Sequence, residues 1–144
     1  MSAPAPGVHH AYDYALVRIV PHAHTGDGEA VGVALHARRA RVFAVILAGT
    51  PDALGARLAA RWPGLDARLT ACALRGLVEV AAGRGGPLGL LPPSERFHWL
   101  VATRSSALQA GPVRTGVSAD PAAEAERIVS TLSAYRDLPP PRGV

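Results

Sequence analysis

The chain contains no lysine, and all fifteen of its basic residues are arginine. That absence removes an internal Schiff base to pyridoxal phosphate, a phosphate-loop lysine and any lysine general base. Cysteine is nearly absent as well. With Cys72 alone, no disulfide within the chain, no four-cysteine zinc site and no cysteine-held iron–sulfur cluster can form. No apolar run approaches the roughly 18 residues of a membrane span. The opening "MSAPAPGVHHAYDYALVRIV" lacks the basic region, continuous apolar stretch and small-residue cleavage site of a secretory signal. The expectation is a cytoplasmic protein with no membrane association. Aromatic residues make up only 5% of the chain and charged residues 18%.

What is present points to one globular domain. A length of 144 residues with 49% hydrophobic content suffices for a single core. A formal charge of +4 permits an anionic partner, and arginine, which grips carboxylate or phosphate through two parallel hydrogen bonds, would build any such site.

Residues 1–9 and the proline-rich 137–144, "DLPPPRGV", read as mobile tails around a domain over 10–136. "YDYALVRIV" at 12–20 is apolar and rich in β-branched and aromatic residues, as a central strand should be. In "EAVGVALHA", two-residue alternation puts Val31, Val33 and Leu35 on one face and Ala30, Gly32, Ala34 and His36 on the other. That second face is nearly flat, so a helix packs closely over Gly32 or a ligand approaches its backbone, packing being the commoner use. "RRAR" at 38–41 turns into a third strand, "VFAVILA".

Thr50 reads as a helix N-cap with Pro51 at the first helical position, and "WPG" at 62–64 ends that helix. Asp66 caps the next, whose stripe Leu69, Cys72, Ala73, Gly76, Leu77 and Val80 puts Cys72 on the core face. Gly83 stops it, and "GRGGPLGLLPP" is a loop. "RFHWLVAT" reads as a fourth strand, "RSS" as a hairpin turn and "ALQAGPVRT" as its partner. Asp120 caps a last helix with the stripe Ala125, Ile128, Val129, Leu132 and Tyr135. The expected fold is α+β, a mainly antiparallel sheet of about five strands in the order β-β-β-α-α-β-β-α, covered by helices.

Chemistry concentrates in "FHWLVATRSSALQAGPVRTG" at 97–116. Arg104, Ser105 and Ser106 make either an anion cradle of guanidinium, hydroxyls and turn N–H groups or a solvated turn. Arg114 and Thr115 join them if the second strand bends at Gly111 and Pro112. His98 is the candidate catalytic residue, as general acid/base or ligand contact, or else a hydrogen-bonded structural histidine. His22 and His24 have the spacing of a metal pair, but no third ligand converges, so neither a metal site nor a cofactor is assigned. Asp120 reads as a cap before a catalytic acid. The Arg38, Arg39 and Arg41 turn either touches phosphates or is simply solvated.

Several ordered blocks carry a resemblance. "YDYALVRIVP", "GDGEAVGVAL", "GPLGLLP", "FHWL" with "RSS" after it, "GPVRTG" and the Asp120–Pro121 pair together resemble the bacterial domain-of-unknown-function family 3037 over roughly residues 12–132. The resemblance implies an asparagine where this chain has Ala30 and a histidine where it has Arg114. It brings no established activity, and it implies an accessory role beside a HipA-like serine/threonine kinase.

Three functions are therefore ranked. First is a small non-catalytic partner domain whose groove of His98, Arg104, Ser105, Ser106, Arg114 and Thr115 recognises an anionic group on a protein or ligand. Second is a small enzyme acting on a phosphate-bearing compound with His98 as general acid/base. Third is nucleic-acid binding by Arg38, Arg39 and Arg41, without any RNA-recognition or helix-turn-helix signature.

Overall fold

The first strand is the central one. β1 (His10–Ile19) pairs along one edge with β2 (Glu29–Ala37), which in turn pairs with β3 (Val42–Leu47). Its other edge takes two short strands end to end: β4 (Leu108–Ala110) against Val17–Ile19 and β5 (Arg114–Ser118) against His10–Tyr14. All pairings are antiparallel. Between β4 and β5 the Gly111 N–H donates to the Leu16 carbonyl at 2.8 Å, and the two strands run on as one line interrupted by Gly111–Val113. The computed structural model describes residues 7–22, 25–102 and 107–136, with side chains as far as 132. Apart from residues 7–9, which are exposed, the tails expected at 1–9 and 137–144 lie outside the described residues.

Helices cover both faces of the sheet. On one lie α1 (Pro51–Arg61), α2 (Ala67–Ala81) and α3 (Pro93–Val101), the last preceded by a 3₁₀ turn at Pro87–Leu90. Here Val17, Ile19 and Val31 pack with Leu54, Leu58, Leu74, Leu77 and Leu100. On the other lies α4 (Pro121–Arg136), whose Ala125 and Val129 pack on Tyr12, Val33 and Leu35. The α+β class and the five-stranded antiparallel sheet are as the sequence reading expects. Among the described residues no helix is long and apolar enough to cross a membrane.

Local chemistry explains the helix ends. Thr50 Oγ1 accepts from the Ala53 N–H at 3.1 Å, Asp66 Oδ1 from Leu69 at 2.9 Å and Asp120 Oδ1 from Ala123 at 3.2 Å, so all three expected caps are formed. Gly83, at φ +82, follows the end of α2 in the left-handed conformation that glycine adopts without strain.

Four expectations change. "RFHWLVAT" is not a strand: Pro93 opens α3 at its first position, and burial falls on Phe97 and Leu100 at helical spacing while His98 is exposed. The partner of "ALQAGPVRT" is accordingly β1. Cys72 is exposed, because it lies four residues after Arg68 and three before Arg75, beside the charged side of α2, while the helix buries Thr70, Ala71, Leu74, Leu77 and Val80. At Gly32 the close neighbour is β3 rather than a helix, since a Cβ there would come within 2.5 Å of the Ile46 carbonyl oxygen. Finally, the β1–β2 register skips from Val17–Gly32 to Arg18–Ala30. The skipped Val31 forms a bulge and packs with the α1–α3 cluster, not with Val33 and Leu35.

Candidate functional site

β2 runs into a tight turn that carries three arginines. Ala37 pairs with Val42, and across the turn the Arg41 N–H donates to the Arg38 carbonyl at 3.2 Å. Arg41 adopts φ 56, the left-handed conformation that lets four residues close a hairpin. The turn holds Arg38 and Arg39, both exposed, at the end of the strand that carries His36.

Register then builds a row across the sheet. His36 pairs with Phe43 on β3 and with Asp13 on β1, and Asp13 pairs with Thr115 on β5. Directly paired residues share a face, so Phe43, His36, Asp13 and Thr115 form one line. α3 lies over it. The His36 ring stands 5.8 Å from that of Phe97 and 6.1 Å from that of Phe43, centroid to centroid.

Between α3, β1 and the turn opens a cleft of about 360 Å³, lined among others by Asp13, His36, Arg38, Arg39, Ser94 and His98. A second cavity of the same size adjoins it, sharing His36, Arg38 and Ser94 and adding Arg41, Val42, Phe43 and Pro93. Burial pushes the His36 imidazole below the usual histidine range; the neighbouring His98 and Arg38 push the same way and Asp13 opposes them. The cleft is cationic. Glu29, Asp52, Glu79 and Glu124 are taken up by Arg57, Arg75, Arg84 and Arg127, and among the described residues no carboxylate forms an ion pair with Arg38, Arg39 or Arg41.

The expected site residues are thus redistributed. His98 lines the cleft and Thr115 continues its row as an exposed residue at the sheet edge. Arg114 pairs with Tyr14, one position along, so alternation turns it to the opposite face. Arg104, Ser105 and Ser106 lie outside the described residues, as does His24. Arg38 and Arg39, which the sequence links only to nucleic acid, lie beside His98. Asp120 is a helix cap. Asp13, His36 and Ser94 escape the sequence reading. Their one signal is that His36 is the lone polar residue on the flat face of β2, two residues before an arginine. Among the described residues no three His, Cys, Asp or Glu side chains are grouped to hold a metal ion.

A larger cavity of about 640 Å³ lies elsewhere, between the exposed residues Leu69, Ala73 and Gly76 of α2 and Trp99 and Leu108. Among the described residues no charged or titratable side chain lines it, whereas two arginines and two histidines line the smaller cleft.

A family model described as a protein of unknown function (DUF3037) matches residues 14–132. No curated protein and no solved structure matches the chain.

Proposed function

Because the chain belongs to the DUF3037 family, whose description names no activity, we propose a function from its own site: a small non-catalytic accessory domain that recognises an anionic group in the cleft of His36, Arg38, Arg39 and His98. One observation carries the reading. Arg38 and Arg39, which no carboxylate pairs among the described residues, line one open cleft with His36, His98 and Ser94 and with Asp13 as the one carboxylate of its described lining, so hydrogen-bond donors with a net positive charge are available to an anion there. A HipA-like serine/threonine kinase is the proposed partner, since a phosphorylated hydroxyl is the kind of group such a cleft fits.

Inorganic phosphate tests this directly. A ligand that binds only the folded state raises its melting temperature with concentration. Each charge-assisted contact is worth about 1.5–3 kcal/mol, so Arg38→Ala or Arg39→Ala should weaken binding about ten- to a hundredfold. Both side chains are exposed, and the unliganded melting temperature should stay near that of the wild type. Arg114→Ala, on the other face, should bind as wild type. Affinity unchanged by the first two substitutions would remove the cleft from the proposal.

A second reading, a small enzyme on a phosphate-bearing compound, draws on His36, whose imidazole burial pushes below the usual histidine range in the same cleft as Asp13 and His98. Turnover of a generic phosphate ester that His98→Ala abolishes without loss of folding would favour it.

A further inference from the structure

We infer that the cleft and the cavity beside it form one site for a phosphate monoester that carries a flat ring. This rests on the anion reading above and adds the class of ligand. The two cavities, each of about 360 Å³, meet at His36, Arg38 and Ser94 but differ in what extends them. Asp13, Arg39 and His98 continue one; Val42, Phe43 and Pro93 continue the other. An inorganic anion uses only the shared rim and the first cavity. The second then offers apolar wall that only a ligand with an apolar part can cover.

The wall suits a ring. Phe43 stands edge-on to Phe97 at an interplanar angle of 89° and to His36 at 71°. The Arg96 guanidinium lies 5.1 Å from the Phe43 centroid while its Nη1 donates to the Val80 and Ala81 carbonyls at 3.1 and 2.8 Å. Phe43 is therefore pinned from α3 and the end of α2, and the wall stands ready before a ligand arrives. A ring added to it gains edge-to-face contact as well as burial. Arg41, which also lines this cavity, offers a cation to the ring face. Each cavity is small for a ligand site, which limits the apolar part to one ring system, and Asp13 disfavours a second anionic group in the cleft.

The test is a calorimetric series on the full chain with inorganic phosphate, glycerol phosphate, phenyl phosphate, adenosine monophosphate and free phosphotyrosine. Burying about 60 Å² of ring at ~25 cal/mol/Å² is worth about tenfold. At least one ring-bearing ester should therefore bind ten times more tightly than glycerol phosphate, and the ratio of adenosine monophosphate to phosphotyrosine tells a nucleotide source from a phosphorylated amino acid. Phe43→Leu should remove that preference while leaving inorganic phosphate affinity unchanged. Pro93→Ala, at an exposed position, should reduce the preference in the same sense should Phe43→Leu fail to fold. Equal affinity for all five compounds overturns this inference and leaves the anion reading standing. Binding of none overturns both.

Discussion

His36 is the residue at which the charged and apolar parts of the site meet, and its protonation is tied to stability. Burial holds its folded-state pKa below the ordinary value, so as pH falls the unfolded chain takes up the proton first. Its contribution is therefore full above the ordinary histidine pKa of about 6.5 and is lost as pH falls from there through the lower folded-state pKa. Urea unfolding between about pH 7.5 and 5 should show stability falling with acidification, and His36→Gln should flatten that slope. An equal slope in the variant would assign the effect to another group. A bound anion reverses the balance, because it favours the imidazolium. Sulfate does not titrate in this range, and its thermal shift should grow as pH falls in the wild type and grow less in His36→Gln.

At the scale of elements, two glycines in neighbouring helices should respond oppositely to the same change. A Cβ on Gly55 of α1 would meet the Ala67 carbonyl oxygen at 2.5 Å and the Ala71 Cβ at 3.3 Å, whereas one on Gly76 of α2 meets nothing within 4 Å. Gly55→Ala gains about 1 kcal/mol of helix propensity but overpacks a backbone contact at a cost of about 1–3 kcal/mol, so it should destabilise. Gly76→Ala should stabilise by about 0.5–1 kcal/mol. Denaturant midpoints of the two variants decide the matter, and a stabilised Gly55→Ala would show that α1 and α2 pack less closely than described.

The same elements show what a sequence reveals. Thr50, Asp66 and Asp120 were legible because capping is settled within four residues, and the stripe through Ala125 and Val129 because α4 has one apolar face. In α2 the apolar arc is broad, and a stripe read through Leu69, Cys72, Ala73 and Gly76 follows its exposed flank, because the buried Thr70 and Ala71 give only a weak apolar signal. In α3, Phe97, Trp99 and Val101 satisfy a strand and Phe97 with Leu100 a helix, and the deciding signal was the Pro93 start. The row of Phe43, His36, Asp13 and Thr115 depends on strand register between distant segments, and no local pattern encodes it.

For the whole molecule, a formal charge of +4 favours the approach of anionic partners over cationic ones. If the cleft serves a HipA-like kinase, the co-expressed pair should stay together on size exclusion at about 0.15 M salt, where attraction between exposed charges is largely screened. Arg39→Ala should weaken the complex, and separate elution at micromolar concentration would refute the partnership. The molecule's architecture also has a consequence in time. The first strand completes its second edge only with residues 108–118, so during synthesis at about 5–20 residues per second that edge waits on the order of 5–20 s after β1 emerges. For that interval the nascent chain presents a twisted three-stranded sheet with an unsealed hydrogen-bonding border, the form most prone to pair with another copy. Its yield in the cell is then governed by a race between elongation and self-association, and a chain terminated after α3 would lose that race permanently.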